Sequence, residues 1–297
     1  MKTILSIQNL NKRYGKIHAV NDLSFEIEKG SVYGILGPNG SGKTTTLSII
    51  LGVVHSDSGS FSWFGQIPSK ESRKRIGAIL EHPIFYPYMS AEDNLKIIAD
   101  IKGVDPADIN RVLKVVELSE RKDSKFKTFS YGMKQRLAIA GALLGSPEVL
   151  IFDEPTNGLD PKGIAEIREL IIDIAKQGIT IILASHLLDE VQKICSHVLV
   201  LRKGKKLFSG KVDEVLNVAD TIEIASEDLQ KLQLSLENID FISNVKKEGD
   251  ILTANIQAGK TTYDLNKVLV NLNIIVTHLS KRKRSLEKQF LELVSEN

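Results

Sequence analysis

One stretch limits the possible folds of this chain more than any other: Gly37-Pro38-Asn39-Gly40-Ser41-Gly42-Lys43-Thr44, which reads G-x-x-x-x-G-K-[ST]. Ser31 to Leu36 before it is a short apolar strand, and Thr45 to Leu51 after it reads as the opening of a helix. Glycines let backbone N–H groups curl around phosphate oxygens, and the start of a helix adds a favourable dipole. In such a loop Lys43 reaches the β- and γ-phosphates of a nucleoside triphosphate, and the Thr44 hydroxyl holds Mg²⁺. Chance would produce this pattern in about one chain in a hundred of this length, and here strand and helix flank it correctly. The expectation is a nucleoside triphosphate site in an α/β fold.

Composition narrows the class without naming it. At 297 residues the chain is long enough for one large or two modest domains, and 42% hydrophobic with 26% charged residues is ordinary for a globular protein. A net charge of +2 gives no case for wholesale nucleic-acid binding. The single cysteine, Cys195, excludes an internal disulfide framework and suits a reducing compartment. Met1 to Tyr14 alternates polar and apolar residues and lacks the apolar core of a signal peptide. Apolar runs such as Ile179 to Ala184 fall far below the ~20 residues that span a bilayer, so a membrane role is expected only through a partner.

Thr3 to Ile7 and Leu23 to Ile27 alternate as strands, with Asn11 to Gly15 lying between them, and Gly59 to Gly65 reads as another strand. From about 83 to 146 the pattern is helical, clearest in Ala91 to Lys102 and Ile109 to Leu118. Val149 to Phe152 and Ile179 to Leu183 are continuous apolar runs, which suit strands buried on both faces of a mainly parallel sheet. Residues 1–215 thus read as an α/β domain with a helical insertion. Residues 216–297 read as a small α+β domain of order βαββαβ, the ferredoxin-like arrangement, followed by an amphipathic helix over Ser285 to Val294. Arg202 to Lys206 reads as a charged hairpin. Lys281-Arg282-Lys283-Arg284 reads as a solvated turn, with contact to anionic lipid or nucleic acid as the alternative.

A phosphate loop needs an acid to anchor its metal and a group to prepare water, and Glu148 to Glu154 offers both. Asp153 follows four apolar strand residues, at the end where open α/β sheets bind ligands, and is placed to hold Mg²⁺. Glu154, one residue on, is placed to act on the attacking water as general base. His186 ends the strand Ile179 to Ala184; it is either a structural histidine or a hydrogen-bond partner of the γ-phosphate and the water.

Phe129-Ser130-Tyr131-Gly132-Met133-Lys134-Gln135-Arg136, between the phosphate loop and the acidic strand, resembles the signature motif of ABC-family ATPases, whose usual core is Leu-Ser-Gly-Gly-Gln. Asn157-Gly158-Leu159-Asp160 resembles the D-loop of that family, with Asp160 at its end, Ser185-His186 its switch histidine, and Tyr14 the aromatic that stacks on adenine. A packed strand-end aromatic is the other reading of Tyr14. Two positions depart from the pattern: Glu81 stands where the family's Q-loop has glutamine, and Tyr131 stands at the first signature glycine. Glu81 can still contact Mg²⁺ or its water, and the Tyr131 amide remains free for phosphate if its ring points away. These departures, the Met133 to Arg136 ending and the C-terminal extension make the chain similar to ATPase subunits of bacterial bacitracin- and lantibiotic-type exporters.

The resemblance implies a P-loop NTPase fold with a helical subdomain, ATP and Mg²⁺ as cofactors, and a head-to-tail pair of ATPase chains, as a homodimer rather than a heterodimer. In that arrangement Ser130, Tyr131, Gly132 and Met133 close on nucleotide held by the opposite chain. It also implies a separate integral-membrane permease, contacted by the helical insertion and the segment Phe85 to Tyr88, with this chain peripheral on the cytoplasmic face of the membrane and no nucleic acid bound. Phe85 itself is equally compatible with the core. A soluble ABC ATPase of translation or DNA maintenance is the alternative, but this chain has neither a second ATPase half nor a long coiled-coil insertion. A P-loop kinase or GTPase leaves the signature unexplained, and no N/T-K-x-D guanine motif occurs. The C-terminal domain is expected to cap and stabilise the dimer, or else to regulate it.

Overall fold

In a computed structural model, residues 2–212, 220–257 and 259–281 are described. The chain divides into two compact units, Met1–Val212 and Asp213–Asn297.

The first unit is built on a six-stranded sheet. Strands β3 (Val32–Leu36), β5 (Ile76–Ile79), β6 (Val149–Asp153), β7 (Thr180–Ser185), β8 (His197–Arg202) and β9 (Lys205–Lys211) lie in the order β5-β6-β7-β3-β8-β9. All are parallel except β9, which pairs antiparallel with β8. Every residue of β3, β6 and β7 is buried. That is why these strands read as unbroken apolar runs: elements cover both faces, and no side chain of theirs needs to meet water.

A separate antiparallel sheet of β1 (Thr3–Tyr14), β2 (Ile17–Glu28) and β4 (Ser58–Trp63) has the order β2-β1-β4. The polar run Asn11 to Tyr14, expected between strands, is itself strand, because the β1–β2 ladder continues out to Tyr14 opposite Ile17. Helix α1 (Lys43–Ile50) packs Leu47, Ile49 and Ile50 into one core with Ile4, Leu5 and Leu23 of this sheet and Ile35, Ile151 and Ile182 of the larger one. Trp63 is fully buried there, and its indole N–H donates to the Ile50 carbonyl at 2.8 Å, so burying that polar atom carries no unpaired penalty.

Between β5 and β6 lie α2's successors in the helical region: α2 itself (Lys70–Lys74) precedes β5, then come α3 (Ala91–Lys102), α4 (Asp108–Val115) and α5 (Tyr131–Leu143). The region is less helical than its 83–146 span suggested. Residues 83–90 are not helical, and Pro83 and Pro87 disfavour a helix there. Helix α3 starts at the Ser90 cap, whose hydroxyl accepts from the Asp93 amide, and stops at Gly103, whose φ of +67° a side chain would resist. Helix α5 lies directly on β5: a Cβ on Gly77 would sit 2.1 Å from the Ala142 carbonyl oxygen. The Lys102 ammonium satisfies the end of α5, donating to the carbonyls of Gly141, Ala142 and Leu144 at 3.1 Å each. Burial pulls the Lys102 pKa down to about 8, against the opposing pull of the Asp108 carboxylate. Helix α6 (Pro161–Ala175) turns Ile167, Leu170, Ile171 and Ile174 inward at helical spacing, and α7 (Leu188–Ile194) follows β7. No described helix is long and apolar enough to cross a membrane.

The second unit has the chain order read from its sequence: β10 (Asp220–Ser226), α8 (Leu229–Glu237), β11 (Ile242–Glu248), β12 (Ile251–Ile256), α9 (Thr262–Asn271) and β13 (Val276–Lys281). Its sheet is antiparallel throughout, in the order β11-β12-β10-β13. Ile222, Ile224, Leu252 and Ile256 form a separate core with Leu232, Leu236, Leu265 and Leu269 of the two helices. The Thr261 hydroxyl accepts from the Asp264 amide while the Asp264 carboxylate accepts from the Thr261 amide, a reciprocal cap that starts α9. Thr261→Ala is expected to cost about 1 kcal/mol, which would raise the hydrogen-exchange rate of the α9 amides about fivefold. The amphipathic helix expected over Ser285 to Val294, and Arg282 to Arg284, lie outside the described residues.

Candidate functional site

Strand register brings the chemistry together. Leu36 pairs with Ser185, Asp153 with Ala184 and Ile79 with Phe152. The carboxyl ends of β3, β7, β6 and β5 therefore line one edge of the sheet, and the segments leaving them carry Gly37 to Lys43, His186, Glu154 and Glu81. This is the edge at which open α/β sheets bind ligands.

The loop Gly37 to Gly42 closes on itself through the Ser41 amide, which donates to the Pro38 carbonyl at 3.1 Å. Pro38, Asn39 and Gly40 are exposed, whereas Gly37, Ser41 and Gly42 are buried. Gly42, the cap of α1, has φ +105°, and a Cβ there would lie 2.2 Å from the Ala19 carbonyl oxygen. Only glycine fits on both counts. The β8–β9 turn supports the loop from behind: the Gly204 amide donates to the Ser41 carbonyl, and the Gly204 carbonyl accepts from the Asn21 amide, both at 2.9 Å. Lys203 and Gly204 both have positive φ, the two-residue turn that joins tightly twisted strands. This brace was missed in the sequence, although the charged hairpin that forms it was visible.

Lys43 is 6% exposed. Its ammonium donates to the Gly37 carbonyl at 2.8 Å and lies 3.6 Å from Glu154 Oε1, so the cation sits between the loop and the acid. Thr44 Oγ1 donates to Asp153 Oδ2 at 2.7 Å across 109 residues of chain. Thr45 is half-buried beside it. Asp153 is 2% exposed, and its Oδ1 is buried without a hydrogen-bond partner. Burial raises its pKa, the Thr44 hydrogen bond opposes this, and the charges of Glu154 and Glu81 raise it further. A buried carboxylate with one oxygen unmatched and two more carboxylates in its field fits a divalent cation, which would satisfy the orphan oxygen and offset the charge.

Glu154 has φ +51° and Glu81 φ +61°, both in the left-handed region that costs a side-chain-bearing residue of order 1 kcal/mol. The Glu154 amide is anchored to the Ala184 carbonyl at 2.9 Å. Its Oε2 accepts from His186 Nδ1 at 2.8 Å and from the His186 amide at 3.4 Å. Lys43, Glu154 and His186 thus form one chain of contacts, open to solvent at the imidazole.

The signature residues stand apart from this group. Ser130 caps α5, its hydroxyl accepting from the Met133 amide at 3.3 Å, so the Tyr131, Gly132 and Met133 amides open that helix. Among the described residues none of the four shares a hydrogen bond or ion pair with the phosphate loop or Asp153. Asp160 caps α6 through the Gly163 amide at 2.9 Å. Tyr14 is 48% exposed at the end of β1, with the Lys12 ammonium 5.5 Å from its ring centre. Phe85 turns inward against Phe126, with ring centres 5.1 Å apart, while Ile84, Tyr86 and Tyr88 are exposed.

A glycine cradle opening a helix, a buried lysine, and an acid pair ending the second strand away define a P-loop nucleoside triphosphatase. Residues 20–157 match the family described as ABC transporter. The bacitracin transport ATP-binding protein BcrA of Bacillus licheniformis is 39% identical over 304 residues, 99% of this chain and 98% of that protein. The lantibiotic transport ATP-binding protein SrtF of Streptococcus pyogenes is 42% identical over 217 residues, 73% of this chain and 95% of its own length. The solved structure of CbiO1 from Clostridium perfringens, part of the ABC transporter complex CbiONQ, superposes with a TM-score of 0.65 at 33% identity, covering 72% of this chain and 91% of that one. This chain belongs to the ABC transporter ATP-binding proteins.

Proposed function

We propose that this chain hydrolyses ATP to power export through a separate membrane permease, with a peptide antibiotic, drug or lipid-like molecule as cargo. The contact chain Lys43–Glu154–His186 beside Asp153 carries the hydrolytic part of this reading. The names of BcrA and SrtF support the choice of cargo class.

The loop amides of Gly37 to Thr45 and the Lys43 ammonium bind the phosphates, and Tyr14 stacks on the adenine. Thr44, Asp153 and Glu81 would hold Mg²⁺, which when bound offsets charge on the phosphate oxygens. Glu154 takes the proton from the attacking water, and His186, bonded to Glu154 Oε2 at 2.8 Å, orients that carboxylate toward the γ-phosphate. Lys43 stabilises the charge that develops on the transferring group.

Two chains assemble head to tail, as a homodimer, so that Ser130 and the Tyr131, Gly132 and Met133 amides close on nucleotide held opposite, with Asp160 alongside. The separation of α5's start from the phosphate loop of its own chain supports this, because a helix N-terminus is an anion site that needs a phosphate from elsewhere. Ile84, Tyr86 and Tyr88, exposed next to the Glu81 loop, form the contact with the permease. The protein then sits at the cytoplasmic face of the membrane, held there by the permease.

The test is a pull-down from detergent extract of the Glu154→Gln protein with Mg·ATP, identifying what co-purifies. A polytopic membrane protein in stoichiometric amount is expected. Ribosomes or DNA-maintenance factors in its place would overturn the transport reading while leaving the nucleotide site intact.

A further inference from the structure

Tyr131 occupies a position where the family pattern has glycine, and its side chain makes two contacts that a glycine could not. Its hydroxyl lies 3.4 Å from His82 Nδ1, within hydrogen-bond reach. Its ring lies against Gly158: a Cβ built there would fall 3.4 Å from Tyr131 Cε1 and 3.7 Å from Cζ. Gly158 has φ +79°, so the turn that receives the ring already favours glycine.

Both contacts end beside the acids of the site. His82 follows Glu81, whose left-handed backbone is costly to hold and whose charge reaches Asp153. Gly158 follows Asn157, whose amide donates to the Glu154 carbonyl at 3.1 Å. Tyr131 is also the first residue of α5, directly after the Ser130 cap. One side chain therefore touches the signature helix, the Glu81-His82 loop and the turn anchored on Glu154.

We propose that Tyr131 is a positioning residue for turnover: it ties the start of α5 to the Glu81-His82 loop and to the Gly158 turn of the same chain. Its two contacts, with His82 and beside Gly158, fix the start of α5 relative to Glu81 and Glu154. This rests on the ATPase reading above. It assigns the tyrosine side chain a part in the rate rather than in nucleotide binding by its own chain, because neither His82 nor Gly158 belongs to the phosphate loop.

The test is steady-state ATP hydrolysis by the full-length protein as wild type, Tyr131→Phe, His82→Ala, the double variant and Tyr131→Gly. Tyr131→Phe keeps the ring on Gly158 and removes only the hydroxyl, so it tests the His82 contact in a folded protein even if Tyr131→Gly loses structure. Tyr131→Phe and His82→Ala are each expected to lower kcat about threefold with KM within about twofold, and the double variant to fall no further, as coupled partners do. Tyr131→Gly, losing both contacts, is expected to lower kcat about tenfold. Single effects that multiply in the double variant, a wild-type kcat in Tyr131→Phe, or a change confined to KM would each overturn the proposal. A wild-type protein without ATPase activity would overturn the hydrolytic reading itself, a different result from an active wild type indifferent to Tyr131→Phe.

Discussion

Glu154→Gln is expected to reduce ATP turnover by about 10²- to 10⁴-fold, the range that a positioned general base contributes, while nucleotide binding stays intact. The two side chains have nearly the same shape, and the backbone strain at φ +51° is common to both, so the fold should not respond. What changes is charge and basicity. The carboxylate that accepts from His186 at 2.8 Å and faces Lys43 at 3.6 Å becomes a neutral amide unable to take a proton from water. Affinity for Mg·ATP should hold or rise, because one negative charge leaves the neighbourhood of the phosphates and of Asp153, whose pKa the Glu154 charge helps to raise. Single-turnover phosphate release and equilibrium nucleotide binding, measured on the same preparation, separate the two effects. Rapid phosphate release by the variant would remove Glu154 from the role of base.

Lys43→Met is expected to weaken Mg·ATP binding at least about 100-fold, or about 2.7 kcal/mol. The ammonium is held by the Gly37 carbonyl at 2.8 Å, so it is aimed before any ligand arrives and little side-chain entropy is lost on binding. The methionine fills similar volume but offers no charge to the phosphates. It also leaves the Glu154 carboxylate, 19% exposed, without its cation, adding repulsion toward an anionic ligand. Titration calorimetry or fluorescent-nucleotide titration would measure the loss. A Kd within threefold of wild type would mean that the loop amides bind the phosphates without the lysine.

Much of the fold was legible because the signals are local. Val149 to Phe152 and Ile179 to Leu183 are apolar throughout because both faces of their strands are covered, and that pattern survives in one dimension. Helix α3 matched its expected span because Ser90 and Gly103 mark its ends in the sequence itself. The order βαββαβ of the second unit was readable for the same reason. The segment 83–90 departs from the helical pattern that follows it because Pro83 and Pro87 disfavour a helix there, a local signal that the helices at 91–102 and 108–115 mask. At the end of the central strand of the antiparallel sheet, Asn11 to Tyr14 reads as a connection, yet a strand held by its ladder tolerates polar side chains on its outer face.

The site divides along the same line. The glycines, Lys43 and Thr44 are contiguous, and Asp153 and Glu154 follow an apolar run, so the residue types and their place at strand ends could be read directly. Which of them meet could not. That Thr44 bonds Asp153, that Lys43 faces Glu154 and that Glu154 bonds His186 depends on β7 lying between β6 and β3. Strand order is a choice among whole-chain topologies, and no local periodicity encodes it. The Lys203-Gly204 turn behind the phosphate loop and the direction of the Tyr131 ring belong to the same class. Sequence alone determined the elements and the reactive groups at their ends, because propensity and burial act on neighbours along the chain. Only the tertiary structure decided their partners, because a hydrogen bond across 109 residues exists only once the sheet has chosen its order.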